Sequence, residues 1–331
     1  MKKVLTGIKA TGVHIGNWVG AIQPALDMVE KTEDQGFFFI ADYHALNSVK
    51  DAKFLSDTTA EVAATWLALG LDTNKHVFYK QSDVPEIMEL SVILAALTPK
   101  GLLNRAHAYK AKTALNQEEG KADLDDGVNM GLYTYPLLMT ADILAFNADQ
   151  IPVGEDNAQH LEIARDIAGK FNRAFKAEVL TLPELVVRKG GKLLPGLDGR
   201  KMSASYNNHI PMFLPEKKLR KTIMKITTDS MPPEAPKETD SNSIFELYQE
   251  FANADEVQVL KKRYQEGIGW GEAKQELFEV LNQRLSAPRE KYTYYMENRE
   301  ELNSILKQGA EKARAVAGPV LASVKKTIGA L

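Results

Sequence analysis

The sequence predicts an α/β protein: a doubly wound parallel sheet in the first part of the chain and an all-helical domain in the last. Short apolar runs alternate with stretches of helical periodicity through the first half. The first of these runs passes through a glycine-bearing turn straight into a helix, as a strand feeding a crossover does. From about residue 214 onward the strand signals vanish and only helical patterns remain.

Each element follows from its residues. "KKVLTG" near the N-terminus reads as the first strand. Ile15, Val19, Ile22 and Leu26 then recur at helical spacing, and Pro24, which has no backbone N–H, predicts a kink among them. "GFFFIAD" (36–42) and "HVFYKQS" (76–82) carry the aromatic and β-branched residues of buried strands, and the stretch 51–70 between them is amphipathic. "QIPVG" (150–154) reads as a further strand. Glu155 to Phe175 follows as a helix, with Leu161, Ala164, Ala168, Phe171 and Phe175 on one face. Pro232, Pro233 and Pro236 mark a loop before "SIFELYQEFA", "EAKQELFEVLNQRL" and the long run beginning "REKYTYYMEN", all helical in pattern. Pro288 is expected to end or kink one of these helices. The reading divides the chain into an α/β domain over 1–213 and a helical domain over 214–331.

Composition bounds the chemistry. The chain has 331 residues, of which 44% are hydrophobic and 26% charged, enough to bury a sizeable core. It has no cysteine, which excludes disulfides, iron–sulfur clusters and cysteine nucleophiles. The N-terminus lacks the apolar run of a signal peptide, and no segment approaches the roughly 20 apolar residues that span a bilayer, so a cytoplasmic protein without membrane contact is expected. The net charge of −3 does not announce a nucleic-acid partner, although "KKLRKTIMK" (217–225) is a local basic stretch. The six histidines show no HxxxH spacing, and no structural metal is expected.

Two segments look built to hold an anion. "TGVHIGN" (Thr11–Asn17) leads from the first strand into a helix, whose free N–H groups and positive dipole end suit phosphate. Gly12 and Gly16 let the backbone come close to a ligand, and His14 offers a donor. "DGRKMSASYNN" (198–208) supplies two adjacent cations, Arg200 and Lys201, among small hydroxyl residues.

"HIGN" and "KMSAS" resemble the HIGH and KMSKS signatures of the class I aminoacyl-tRNA synthetases. "ADYHALNSV" (41–49), "TYPLLMTADILAF" (134–146) and "IPVGEDNAQHLEIARDIAGKFN" (151–172) are similar to the tryptophanyl members of the tyrosyl/tryptophanyl subgroup. The resemblance runs from about residue 3 to 318 and implies a Rossmann-like catalytic domain and a helical anticodon-binding domain. It also implies ATP and L-tryptophan as substrates, tRNA(Trp) as partner, and a homodimer with its interface near 85–135. Magnesium would arrive with ATP.

The chemistry the resemblance implies suits these residues. A carboxylate that attacks the α-phosphate of ATP and displaces pyrophosphate needs positioning and charge stabilisation more than a protein nucleophile. The catalytic group is then Lys201, with Lys112 in "YKAKT", His14 and Thr11. ATP contacts would come from Lys9, Thr11, Gly12, His14, Gly16, Asn17, Gly154, Glu155, Asp156, Lys201, Met202, Ser203 and Ser205. Ala204 stands where KMSKS has its second lysine, leaving the charge to Lys201, Lys112, Arg200 or the magnesium of ATP; some tryptophanyl members share this KMSAS form. Lys9 and Asn157 stand where many members carry glutamines near the substrate's amino and carboxylate groups.

Asp142 is a carboxylate within the apolar stretch Leu137–Phe146. An indole N–H is a donor and nothing else, so an acid there would select tryptophan. Leu5, His44, Tyr135, Met139, Val153 and Asn157 would complete that pocket. Two other readings stand beside this one: the tyrosine enzyme, and an inactive paralogue that binds tRNA or tryptophan as a regulator.

Overall fold

The computed structural model describes residues 1–153, 158–187 and 193–331. Strand β1 (Lys3–Lys9) is followed by a short helix α1 (Ile15–Asn17), a π-helical stretch (Trp18–Ile22) and helix α2 (Gln23–Thr32). Pro24 falls in the first turn of α2, where a missing N–H costs least. The π-helical stretch ends just before it. Next come β2 (Gln35–Ala41), α3 (Asp42–Ala45), α4 (Ala52–Ala68) and β3 (Val77–Lys80). A 3₁₀ turn (Gln81–Asp83) leads to α5 (Pro85–Ala95), α6 (Lys100–Leu103), α7 (His107–Glu118) and α8 (Met130–Leu144). After β4 (Gln150–Val153), α9 (Ala158–Phe175) and β5 (Glu184–Val187), the chain continues as α10 (Glu216–Ile223), α11 (Ser243–Phe251), α12 (Ala254–Glu266), α13 (Trp270–Glu297) and α14 (Arg299–Thr327).

The five strands form one parallel sheet in the order β3-β2-β1-β4-β5. Alternation along the strands assigns side chains to its two faces. Val4, Ile8, Phe38, Ile40 and Phe78 belong to one core, with α2, α4 and the helices α10 to α13. Leu5, Phe37, Phe39, Val77 and Tyr79 belong to the other, with α5, α8, α9 and α14. Helices on both faces make the sheet doubly wound, as the sequence predicts, and the C-terminal helices contribute to both cores.

Two elements depart from expectation. α13 runs through Pro288 without ending. Its contacts with α4, α10 and α11 outweigh the roughly 3 kcal/mol that a proline costs inside a helix. Strand β5 is absent from the sequence reading, because "ELVV" is too short to show periodicity. Within the described residues the helix expected from Glu155 begins at Ala158.

Candidate active site

The strand order reverses between β1 and β4. In such sheets the crevice for a ligand opens beyond the carboxyl ends of the strands flanking that point. β1 pairs with β2 along its whole length, from Lys3 with Gln35 to Lys9 with Ala41, whereas its described pairing with β4 is Val4 with Gln150. The two central strands therefore diverge toward their carboxyl ends.

The turn after β1 sits at this crevice. Thr11 donates its backbone N–H to the Lys9 carbonyl at 2.9 Å. Gly12 has φ +92°, which a side chain would strain, and a Cβ there would project into open space. The turn is joined to the segment that follows the KMSAS loop: Ile15 N–H donates to the Ile210 carbonyl at 3.1 Å, and Met212 N–H to the Val13 carbonyl at 3.0 Å. Met202 is buried in the core, and its sulfur lies 3.5 Å from where a Gly16 Cβ would stand. Two motifs far apart in sequence thus form one floor. The Asn17 side-chain oxygen accepts the His14 N–H at 3.0 Å, which fixes the start of the helix. Burial, and then the neighbouring His209 ring at 5.7 Å, pull the His14 pKa down to about 4, so its imidazole is neutral near pH 7. Its buried Nδ1 has no hydrogen-bond partner among the described residues.

Asn208 organises the KMSAS loop from below. This buried amide accepts the Ser203 N–H at 2.8 Å and donates to the Lys201 carbonyl at 3.1 Å and to Asp198 at 2.7 Å. Lys201 itself is exposed. Arg200 is held by Asp198, Nη2 to Oδ2 at 2.6 Å, and lies over the Tyr206 ring at 5.0 Å. Its charge is thus engaged within the loop.

Asp142, fully buried on α8, is not an orphaned acid. Its Oδ2 is 2.9 Å from His44 Nε2, and its Oδ1 accepts from Gln81 Nε2 at 2.7 Å. Burial pushes its carboxyl above the ordinary range, opposed by the hydrogen bonds from His44 and Gln81. His44 is brought here by α3, directly after β2, and Gln81 by the 3₁₀ turn directly after β3. Asp42 locks these two turns together by accepting the Ser82 N–H at 3.0 Å. Gln81 escapes sequence reading, since a polar residue just past a strand is ordinary; its only signal is its even spacing from Val77 and Tyr79.

Apolar residues line the face around Asp142. Gly7 is exposed although it lies in the central strand, and a Cβ there would fall 2.3 Å from the Phe39 ring. Leu5 is buried on the same face, while Tyr135 and Met139 on α8 are half-buried. The Tyr135 hydroxyl is hydrogen-bonded to Nε2 of the buried His160 on α9. Burial lifts the Tyr135 pKa to about 12, which keeps the phenol neutral.

Other predicted residues lie further out or beyond description. Lys9, at the end of β1, donates to Ser48 Oγ at 3.3 Å, and partial burial lowers its pKa. Lys112 lies on α7 against Gly127, and the described contacts do not join it to either anion motif. Gly154, Glu155, Asp156 and Asn157 lie outside the described residues, as do the side chains of Val153 and Ser205. Among the described residues no group of three or more His, Asp or Glu is placed to hold a metal ion. No described helix is long and apolar enough to cross a membrane.

Residues 1–286 match the family described as "tRNA synthetases class I (W and Y)". Over 329 residues the chain is 47% identical to the tryptophan–tRNA ligase of Neisseria meningitidis, covering 99% of this chain and 98% of that one. Over 330 residues it is 48% identical to the tryptophan–tRNA ligase of Pseudomonas aeruginosa, covering 99% of this chain and 73% of that one. The crystal structure of the Campylobacter jejuni tryptophanyl-tRNA synthetase complexed with ADP and tryptophan is similar at TM-score 0.89 and 43% identity, with 99% of both chains covered.

Proposed function

The chain belongs to the class I tRNA synthetases for tryptophan and tyrosine, and from that premise we propose how its residues divide the work. Its activity is that of a tryptophan–tRNA ligase. It activates tryptophan with ATP to the adenylate, releasing pyrophosphate, and passes the tryptophan to the 3′ end of its tRNA.

Asp142 accepts the indole N–H. The observation that carries this reading is the convergence of His44 and Gln81 on its two oxygens, at the carboxyl ends of β2 and β3. A carboxylate has about four lone-pair sites, so one bond to each oxygen leaves room for a third donor. Leu5, Tyr135 and Met139 receive the ring. ATP lies over Thr11, Gly12 and the start of the helix. Neutral His14 donates a single N–H to phosphate. The tryptophan carboxylate forms a bond to the α-phosphorus as the bond to the pyrophosphate oxygen breaks, and Lys201 meets the charge that develops on the leaving group. Lys112, on α7, is assigned to phosphate by the family resemblance alone. Gly154, Glu155, Asp156, Asn157, Val153, Ser203 and Ser205 take the remaining contacts by the family resemblance. Magnesium enters as part of the ATP substrate, coordinated by the phosphates.

Helices α10 to α14 read the anticodon of tRNA(Trp). A homodimer forms through residues 85–135, supported by the apolar side chains exposed there: Val92, Leu115, Leu124 and Met130. The cytoplasm is the working compartment, in keeping with a chain free of cysteine.

Amino-acid-dependent exchange of labelled pyrophosphate into ATP, without tRNA and across the twenty amino acids, tests the reading. Exchange with tryptophan alone is the expected result. Folded protein that supports exchange with tyrosine instead, or with no amino acid, would sink it.

A further inference from the structure

Gln81 is a fully buried polar side chain at this site that the family signatures do not mark. Its amide meets Asp142 Oδ1 at 2.7 Å, opposite the His44 contact to Oδ2 at 2.9 Å. The orientation of the amide is fixed by chemistry, because the carbonyl end would repel the carboxylate and only the NH₂ end can face it. That orientation leaves Gln81 Oε1 buried without a partner among the described residues. Methionine would fill the same space without burying an unsatisfied acceptor, so the donor half of the amide accounts for a glutamine here.

The backbone holds Gln81 as firmly as the side chain holds Asp142. Val84 N–H donates to the Gln81 carbonyl at 3.1 Å, and Ser82 N–H to Asp42 at 3.0 Å. The terminal torsion of an aspartate is soft and roughly two-fold, so an acid with one partner turns freely about it. Two donors on opposite oxygens stop that rotation and give the remaining lone pairs one direction.

We infer that Gln81 is a specificity-determining positioning residue: together with His44 it clamps the Asp142 carboxylate so that its unused lone pairs face the indole N–H of tryptophan. The inference rests on the reading of Asp142 as the indole acceptor. It places part of amino-acid selection on the turn after edge strand β3, outside the sequence motifs. Gln81 makes no contact with the reacting atoms and acts through Asp142 alone.

The test measures pyrophosphate exchange for Gln81→Met, Gln81→Glu and Asp142→Asn, with tryptophan and with its benzothiophene analogue, in which sulfur replaces the N–H. In the parent, tryptophan is preferred. Gln81→Met is expected to raise the KM for tryptophan about 10- to 100-fold, the range for a hydrogen bond to a charged group, with a smaller effect on kcat and little change for the analogue. A purely structural role would instead lower the rate for both substrates and leave their ratio intact.

Gln81→Glu adds a readout that does not depend on the methionine variant folding. The titratable groups facing this position are Asp142 on α8, His44 and Asp42 on α3, and Tyr79 on β3. The substituted carboxyl donates to Asp142 only when protonated. Tryptophan binding by this variant is therefore expected to be best at acidic pH and to weaken as pH rises, unlike the parent. Asp142→Asn separates the two levels of the claim. Lost discrimination in Asp142→Asn with unchanged discrimination and pH profile in both Gln81 variants overturns the role of Gln81. Unchanged discrimination in all three overturns the indole reading itself.

Discussion

Gly309 of α14 lies so close to Phe78 of β3 that a Cβ on the glycine would fall 1.6 Å from the Phe78 carbonyl oxygen. The C-terminal helix is thus seated directly on the edge strand of the sheet. Arg314 with Glu86 at 3.0 Å and Lys325 with Glu89 at 2.8 Å fasten it further to α5. The edge, which would otherwise expose unpaired backbone groups, is covered. The same strand leads, three residues on, to the glutamine that holds Asp142.

Gly309→Ala has no flexible side chain to push aside, since the obstacle is backbone. The helix or the strand must move. The expected cost is about 3 kcal/mol or more, at the upper end for overpacking, read as a lower denaturant midpoint in urea unfolding. Because the shift falls on β3, the KM for tryptophan should rise more than the KM for ATP. A variant as stable as the parent would show that α14 is not seated as described.

Gly12→Ala separates strain from contact. The residue has φ +92°, so alanine costs about 1–2 kcal/mol in backbone conformation, but its Cβ would meet no atom of the described residues within 4 Å. If that space belongs to ATP, the KM for ATP should rise by an order of magnitude or more while unfolding shows only the small backbone cost. Equal KM values for ATP in parent and variant would move the nucleotide away from this turn.

How much of this was legible beforehand depends on the range over which each feature is written. The HIGN and KMSAS segments are local motifs, and their residues predict a shared anion site before any contact is seen. Asp142 announces itself as an acid in an apolar stretch. What the sequence hides is the partner of each: Gln81 and Asp142 are 61 residues apart, and nothing local marks either as the other's mate. The solitary buried acid of the sequence reading becomes a doubly held one in the fold. Gly309 is hidden for the same reason, since a glycine inside a helix reads only as a weak helix former until the strand beneath it is known. Pro288 reads as the end or a kink of a helix, and α13 continues through it.

The His14 imidazole has a pKa of about 4 in the folded chain against 6.5 ordinarily, so folding holds the neutral form. A depressed pKa contributes stability that is present above 6.5 and is lost as pH falls toward 4, where the unfolded chain takes up a proton that the folded chain refuses. The slope is at most about 1.4 kcal/mol per pH unit, and about 2 kcal/mol is expected over the window once the partial exposure of the ring is allowed for. His14→Asn should flatten the fall of stability across this range, leaving the smaller share due to His209. Bound ATP, which places negative charge near the ring, should raise the His14 pKa, visible by NMR as a titration midpoint moved to higher pH. A His14 that titrates near its ordinary value without ligand would contradict the burial described.

The KMSAS loop carries Ala204 where the family signature has its second lysine, and the proposed mechanism assigns Lys201 to the leaving group. Arg200 is its sequence neighbour, yet it is bound to Asp198 at 2.6 Å and lies over Tyr206, so its charge is neutralised within the loop. The two adjacent cations should therefore behave differently. Lys201→Ala removes a group that acts on charge developing in the transition state, and the rate of pyrophosphate exchange should fall about 10²- to 10³-fold, with the KM for tryptophan changed far less. Arg200→Ala releases a surface ion pair of small worth and should alter the rate by less than about tenfold. Ala204→Lys restores the second cation of the family signature and should raise the rate, with the largest gain in the Lys201→Ala background, where no other loop cation serves the pyrophosphate. Equal losses for Lys201→Ala and Arg200→Ala would show that both cations reach the leaving group, and that the Asp198 contact breaks when ATP binds.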